Sequence, residues 1–406
     1  MNAKVLASIV MLLALALLVA GCVTEDGPVT PPDGVQSEVG IMYTATGQMP
    51  VLLSTGQIDG YMVWQPFVSV AEVSGIGTIV SYSQDLPPAG TWTDHTCDAL
   101  SAREDFIEAH PDIVNALATL LILSGNYVQE NPDRAAEVSA NWLFGGGNMA
   151  FGDVKINSKD VLAHSIPTIR FSTEPSEEWL RSNDRFIEAL REIGYLTGSL
   201  KDASTADVRD TLYDFSHYEA AREMVDTGVI TTPAKLTSPL SIGYLPSDHD
   251  APLFVAIKDW EYFNENYGIA LKPRTTVQGK VDVADLIVNG ETVAEVRLVQ
   301  GEGGAQLMTL MGTEAIQLSY AGTPPTISAI DKGMAIKILL PTQNEGSGLV
   351  VAASAPVDDW DSFIAWADAR SAEGRPLKIA APIRGSIQDV QIKYALQDSG
   401  VVVKEV

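Results

Sequence analysis

The chain has 406 residues and carries 52 acidic against 26 basic side chains, which gives a formal net charge of −26. So acidic a protein repels a phosphate backbone, which excludes nucleic acid as a partner. The length suffices for two lobes that each bury a core of their own. Cys22 and Cys97 are the two cysteines of the chain.

The first residues indicate export. Lys4 is followed by an apolar run from Val5 to Ala20, and small residues lead into Cys22. A charged start, an apolar core and small residues at the cleavage point are typical of a secretory signal, here residues 1–21. A plain membrane anchor is the alternative, but the run is at the short end for a span and no basic cluster follows it.

Cys22 completes the pattern of a lipobox, in which the thiol is acylated and becomes the mature N-terminus. Two acyl chains hold a protein stably on a membrane, so we expect an extracytoplasmic protein anchored to the outer face of the cell membrane. Acylation of Cys22 also leaves Cys97 without a disulfide partner. Residues 22–38 are rich in Pro, Gly and acids, which predicts a flexible tether.

From residue 39 onward, strand and helix patterns alternate. The first half predicts a strand at 39–43, a helix at 49–54, strands at 58–63, 78–82 and 98–102, and helices at 104–110, 111–129, 132–143, 159–163, 177–193, 205–215 and 217–227. The second half predicts strands at 240–245, 271–278, 284–288, 292–299, 315–319, 335–340, 349–353, 377–381 and 401–406, with helices at 253–266, 304–311, 360–369 and 387–399 and another ending at 331. Asn289-Gly290 predicts a hairpin. The alternation favours an α/β protein with largely parallel sheets.

Five segments carry a resemblance to a known family. They are SAREDFIEAHPDIVNAL (101–117), GQIDGYMVWQPF (56–67), LSIGYLPSDHDAPLFVA (240–256), GGAQLMTLMGTEAIQLSYAGTPPTISAIDKG (303–333) and LKIAAPIRGSIQDVQIKYALQDSGV (377–401). Together they resemble the periplasmic substrate-binding components of ABC importers of the nitrate, sulfonate, taurine and thiamine-precursor family. The resemblance implies an α/β, two-lobed periplasmic-binding-protein (type II) fold.

The order of these segments departs from the family, in which the piece like 377–401 precedes the piece like 56–67. A circularly permuted chain would have this order, and it predicts residues 401–406 beside 39–43 and the 56–67 segment in one sheet with 377–381. Lobe two then consists of 39–97 plus 354–406, and lobe one of 98–353. A mis-assembled or truncated gene, or a piece of a tandem binding protein, remains an alternative.

Candidate ligand-binding residues follow the predicted strands. In open α/β sheets, ligands bind beyond the carboxyl ends of the strands, where helix N-termini offer free N–H groups. The residues at such ends are Ser247, Asp248 and His249, then Gly322 and Thr323, then Arg384, Ser386 and Gln388, and finally Trp64 and Gln65. Each also has an ordinary structural explanation as a cap, a turn or a core residue.

The resemblance implies a solute-binding component that delivers a small polar molecule to the permease subunits of an ABC importer. With the lipobox at Cys22, we expect a lipid-anchored monomer. An oxoanion, a sulfonate, or an organic acid or cofactor precursor fits the family. The acidic loop 248–250 would repel an anion unless Arg384 offsets it, so the charge of the ligand stays open. A ligand sensor or scaffold without transport, on the same fold, is the alternative.

Enzymatic chemistry finds little support in the sequence. The chain has no G-x-S-x-G elbow, no Walker loop and no dinucleotide fingerprint, so we expect neither an enzyme nor a cofactor, and no metal ligand is assigned. His95, Cys97, His249 and Asp250 could nevertheless converge as a transition-metal site. A metal-binding protein is therefore a further alternative.

Overall fold

The computed structural model describes residues 36–151 and 154–406. The predicted signal peptide, Cys22 and most of the predicted tether lie outside the described residues. Within the described ranges, no helix combines the length and the apolar character needed to span a bilayer.

Strands are numbered here in chain order. They are β1 (Glu38–Tyr43), β2 (Gly60–Trp64), β3 (Gly77–Tyr82), β4 (Asp98–Arg103), β5 (Asn148–Phe151), β6 (Val154–Asn157), β7 (Ile169–Arg170), β8 (Leu240–Tyr244), β9 (Ile269–Val277), β10 (Lys280–Val288), β11 (Glu291–Gln300), β12 (Leu318–Gly322), β13 (Ile336–Pro341), β14 (Asn344–Glu345), β15 (Ser347–Ala352), β16 (Leu377–Ala381) and β17 (Val402–Glu405).

Helices are numbered in the same way. They are α1 (Met49–Ser54), α2 (Phe67–Ser74), α3 (Glu104–Ala109), α4 (Pro111–Glu130), α5 (Pro132–Phe144), α6 (Ser158–Ser165), α7 (Glu177–Glu192), α8 (Thr205–Leu212), α9 (Ser216–Thr227), α10 (Ala251–Lys258), α11 (Trp260–Tyr267), α12 (Gly304–Gly312), α13 (Thr323–Asp331), α14 (Trp360–Ala372) and α15 (Ile387–Asp398).

The first sheet joins segments from both ends of the described chain. Its six strands have the order β17–β1–β16–β2–β15–β3. Strand β1 pairs in parallel with β17, Val39 opposite Val403, and on its other side with β16, Val39 opposite Leu377. Strand β2 pairs in parallel with β16, Gly60 opposite Ile379. Both neighbourhoods expected from the order of the segments, 39–43 with 401–406 and 56–67 with 377–381, are therefore confirmed.

The second sheet has seven strands in the order β13–β4–β12–β8–β11–β10–β9. Its centre is parallel where β8 lies between β11 and β12, whereas β4 is antiparallel to both β12 and β13. The expected hairpin at Asn289-Gly290 joins β10 to β11, and both residues have the positive φ that this turn requires. Helices α4 and α10 pack against this sheet, where Trp142 of α5 stacks on Phe254 of α10 with ring centroids 4.8 Å apart.

Two segments connect the sheets, and they lie side by side. The chain leaves the first sheet through residues 83–97, between β3 and β4, and returns through 342–346, between β13 and β15. Thr96 and Asn344 form a β-bridge, and the Glu345 N–H donates to the His95 carbonyl at 3.1 Å. A mixed α/β fold with two large sheets and a paired double connection confirms the two-lobed fold class, and it positions a cleft between the lobes.

Several local predictions were wrong. The sheets are mixed rather than largely parallel. The helix expected at 253–266 is two helices, because the chain turns at Asp259, where φ is −105° and ψ is 30°. The strand expected at 315–319 lies at Leu318–Gly322, since residues 313–317 first close the end of α12. The β5–β6 hairpin had no predicted counterpart, and a Gly-rich stretch concealed its pattern.

Candidate functional site: a cleft between the two sheets

A cavity of about 650 Å³ lies between the two sheets. Its walls include residues at or just beyond the carboxyl ends of β1, β2, β8, β11, β12 and β16, among them Thr44, Trp64, Leu245, Gln300, Gly322 and Pro382. The carboxyl ends of strands from both sheets thus border one space, which is where open α/β sheets bind ligands. The volume lies in the range of small-molecule sites.

The structure brings part of the expected residue set into this cavity. Trp64, Ser247, His249, Gly322, Ser386 and Gln388 line it. Gln65, Asp248, Thr323 and Arg384 are not among the lining residues. The first group comes from both lobes, so a solute bound here would touch the two walls together.

Ser247 and His249 form part of the wall beside β8. The Ser247 hydroxyl donates to the Gln65 carbonyl at 2.8 Å and accepts from the His249 N–H at 3.2 Å, which fixes the turn Asp248–Asp250. His249 Nε2 lies 3.0 Å from the Gly346 carbonyl, which can only accept. Nε2 therefore carries the hydrogen, and Nδ1 presents a lone pair. Burial lowers the pKa of His249 to about 4, so the imidazole is neutral.

Ser386, Gln388 and Trp64 form part of the opposite wall. Ser386 caps α15, with its Oγ accepting from the Asp389 N–H at 3.2 Å. Gln388 lines the cavity and donates from Nε2 to Ser347 Oγ at 2.8 Å. The Trp64 indole Nε1 has no hydrogen-bond partner among the described residues, so it is available as a donor.

The four residues outside the cavity have partners of their own. The Thr323 hydroxyl contacts Thr96 Oγ1 at 2.9 Å and the Cys97 carbonyl at 3.1 Å. Arg384 pairs with Glu405 at 3.3 Å. Gln65 donates to Thr168 Oγ1 at 2.9 Å, and the Asp248 carboxylate accepts from the Ser165 hydroxyl. These contacts use the polar groups for structure and leave Arg384 unable to offset an acidic wall from its present position.

Helix N-termini meet the cavity at three places. Helix α12 begins at Gly304, α13 follows its cap Gly322, and α15 follows its cap Ser386; all three positions line the cavity. The positive end of a helix dipole and the free N–H groups of its first turn favour an electron-rich ligand group. Gly303, Gly304 and their neighbours were not among the expected ligand-binding residues, although a strand followed by Gly-Glu-Gly-Gly was a usable signal.

Charged side chains in the lining are carboxylates. Asp98 and Glu302 line the cavity, and no Lys or Arg does so among the described residues. Asp98 is 4% exposed, and its Oδ2 makes no hydrogen bond of normal geometry within the described part of the chain. Burial raises the pKa of Asp98 to about 7, although the nearby Gln343 amide lowers it somewhat. Sequence reasoning missed Asp98, whose position opposite Gly322 in antiparallel β4 depends on sheet pairing.

Cys97, Asp98 and His249 form a buried cluster in the same cavity. One donor atom from each lies within 4.8 Å of the other two. The two remaining residues of the expected metal set are used elsewhere: His95 contacts the Thr96 carbonyl and Ser83 Oγ, each at 2.8 Å, and Asp250 accepts from the Leu245 N–H at 2.6 Å. Burial raises the pKa of the Cys97 thiol.

Comparison with known proteins places the chain in a family. The model of the NMT1-like family matches residues 17–143 and 233–406, about three quarters of the chain. The chain belongs to the NMT1-like family. NMT1-like proteins are extracytoplasmic substrate-binding proteins of ABC importers for compounds such as nitrate, sulfonates and taurine, and they are not enzymes. The family resemblance seen in the sequence and the expectation of a non-enzymatic binding protein are thereby confirmed.

Two relatives are similar to parts of the chain. An uncharacterized protein of Methanocaldococcus jannaschii is 37% identical over 107 residues, which are 26% of this chain and 71% of the relative. The taurine-binding periplasmic protein of Escherichia coli is 34% identical over 89 residues, 21% of this chain and 26% of that protein. No solved structure matches the chain significantly.

Proposed function

We propose that the protein captures a small polar solute in the cleft between its two sheets and delivers it to the permease of an ABC importer. The observation that carries the proposal is the cavity of about 650 Å³, whose walls come from the carboxyl ends of strands in both sheets. Two lobes joined by a paired double connection can close over a ligand by a hinge motion. Membership of the NMT1-like family supports the same conclusion.

The lining favours a cofactor precursor over a bare oxoanion or an anionic organic acid. A nitrate-sized ion would fill a small part of the volume. No Lys or Arg among the described residues lines the cavity, while Asp98 and Glu302 do. Trp64 and Phe67 offer aromatic surface, and the helix N-termini offer N–H groups. We therefore propose a solute with an apolar or planar part, a group that donates to Asp98, and one group that accepts from the helix starts.

We propose Ser247, His249 and Gly322 as contacts in lobe one and Trp64, Ser386 and Gln388 as contacts in lobe two, since these residues line the cavity. Gln65, Asp248 and Thr323 act one layer behind them through the hydrogen bonds already described. Arg384 would contribute only if closure moved it away from Glu405.

We also propose the lipid anchor on Cys22 and the cleaved signal of residues 1–21, on the sequence pattern alone. A monomer tethered by residues 22–38 could reach a permease in the same membrane. The permuted order of the lobes is a proposal too, which the pairing of β1 with β17 supports. A lobe division within 342–346, rather than after residue 353, would keep β15 with the other five strands of its sheet.

The test identifies the solute and measures how much a cleft residue contributes to its binding. Native mass spectrometry of the purified full chain would detect a co-purified molecule, and calorimetry would give its Kd. We expect Gln388→Ala to weaken binding about 10-fold, the loss of roughly one hydrogen bond. Gln397→Ala is the matched control, because Gln397 lies exposed on the same helix. A cleft that binds nothing across a broad solute library would instead favour a sensor or scaffold without transport.

A further inference from the structure

Three side chains with different ligating atoms meet at the base of the cleft, and each comes from a different part of the fold. Cys97 ends the segment that enters the second sheet, Asp98 opens β4, and His249 lies in the turn after β8. Cys97 Sγ is 3.3 Å from His249 Nδ1 and 4.0 Å from Asp98 Oδ1. The side chains are 1%, 4% and 2% exposed respectively. A thiol, a carboxyl and an imidazole thus converge inside a protected site that still opens to the cavity.

The orientation of His249 suits a ligand. Its Nε2–H donates to the Gly346 carbonyl, which leaves the Nδ1 lone pair directed at Cys97 Sγ. Metal-binding histidines almost always have their other nitrogen held in this way. Gly346 permits the contact, because a Cβ at this position would come within 2.6 Å of Nε2. The Gly346 carbonyl therefore fixes both the tautomer and the orientation of the His249 ring.

The distances fit a tetrahedral ion. With Zn–S near 2.3 Å and Zn–N or Zn–O near 2.0 Å, tetrahedral donors lie about 3.5 Å apart. The two measured separations bracket this value. Thiolate and carboxylate together cancel the charge of a divalent ion, which limits the cost of placing it in a buried site. Asp98 lines the cavity, and its buried Oδ2 has no hydrogen-bond partner within the described residues.

We propose that Cys97, Asp98 and His249 bind a borderline divalent metal ion, with Zn²⁺ the best fit, at the base of the cleft. Sulfur, nitrogen and oxygen donors suit Zn²⁺ and Co²⁺, whereas Mg²⁺ and Ca²⁺ take oxygen ligands. Three protein ligands leave the fourth position facing the cavity, where water or a donor atom of a solute would complete the coordination. The metal site goes beyond solute capture and does not require it.

The test uses the full chain purified in detergent, freed of metal by a chelator, and titrated with Co²⁺. We expect one ion per chain and a near-ultraviolet thiolate-to-cobalt charge-transfer band, which Zn²⁺ then abolishes by displacement. Cys97→Ser should remove the band and weaken Zn²⁺ binding, measured by chelator competition, at least about 100-fold. Asp98→Asn should keep the band and weaken binding less. His164→Gln, at an exposed histidine, is the control and should bind like the original chain.

The band in the unmodified chain needs no variant, so poor folding of Cys97→Ser cannot mask the result. No band, together with the same Zn²⁺ affinity in the original chain and in Cys97→Ser, would overturn the metal site and leave a thiol–imidazole hydrogen bond in its place. Solute binding is measured separately with chelator present. Solute binding without metal binding contradicts the metal site alone, and metal binding without any solute contradicts the transport proposal alone.

Discussion

Val39 and Val403 lie opposite each other in neighbouring parallel strands, although they come from opposite ends of the described chain. The Val39 side chain is fully buried between β17 and β16, beneath α14. The first sheet thus depends on contacts between segments from opposite ends of the described chain. The stability of the cleft wall depends on these contacts.

Val39→Ala should destabilise the protein by about 1–3 kcal/mol, because it removes two buried methyl groups and leaves a cavity. Val229→Ala is the matched control: Val229 is 69% exposed, so its truncation should change the free energy of unfolding by less than about 0.5 kcal/mol. Urea denaturation measures both. Equal, small effects would contradict the role of the β1 strand in this core.

Gly346→Ala should perturb the connection between the lobes. Gly346 has φ +77°, and an added Cβ would lie 2.6 Å from His249 Nε2 and 2.9 Å from Ile169. Gly374 has φ +71° and open space around it, so Gly374→Ala carries the backbone strain without the clash. We expect Gly346→Ala to cost about 1–3 kcal/mol more than Gly374→Ala in thermal or urea unfolding. Equal losses in the free energy of unfolding would contradict the clash, because the chain around Gly346 would then move to accept the added Cβ.

His217 should make stability depend on pH. Its ring is buried beside α4, with Nδ1 2.6 Å from Asn115 Oδ1. Burial lowers the pKa of His217 below 6.5, and Asp214 offsets only part of the shift. The unfolded chain then binds the proton more readily, so this contribution to stability is complete above pH 6.5 and is lost as the pH falls toward the folded pKa.

His217→Gln should therefore lose less stability than the original chain between about pH 8 and about pH 5. His110→Gln, at an exposed histidine, is the control and should follow the original chain. Free energies of unfolding at both pH values measure the difference. A variant whose pH dependence matches the original would assign the acid sensitivity to other groups.

Arg384 and Gln388 should differ in their effect on the solute. Arg384 pairs with Glu405 outside the cavity, whereas Gln388 lines it. We expect Arg384→Ala to change Kd by less than about threefold while Gln388→Ala changes it about 10-fold. The exposed ion pair contributes little to stability, so Arg384→Ala should fold like the original chain. A large effect of Arg384→Ala would mean that closure carries this guanidinium into the cleft.

Cys22→Ser should release the protein from the membrane. Without the acyl anchor, the chain should move from the membrane fraction to the soluble extracytoplasmic fraction, as immunoblotting of fractionated cells would reveal. Cys97→Ser is the control and should stay with the membrane. Retention of the Cys22→Ser variant would favour an uncleaved apolar segment as the anchor.

The hydrophobic periodicity of the sequence, with its helix-capping and turn-forming residues, determined most elements of the fold. Strand β2 is apolar because both of its faces are buried. Pro111 and Pro132 start α4 and α5, Ser386 caps α15, and Asn289-Gly290 turns the hairpin. These are local signals, carried by residues within one turn or one strand of each other. The fold class could also be predicted from the sequence, because the resemblance to the family lies in short continuous segments.

Only the tertiary structure decided which side chains face the cleft. Thr323 follows β12, as predicted, yet its hydroxyl contacts Thr96 Oγ1 and the Cys97 carbonyl instead of the cavity. Asp98 enters the cavity because antiparallel pairing sets it opposite Gly322. The partners in each case come from segments hundreds of residues apart or from another strand, and their direction depends on how those segments pack. Spacing along the chain does not indicate that geometry. The proximity of Cys97, Asp98 and His249 is therefore visible only in the folded molecule.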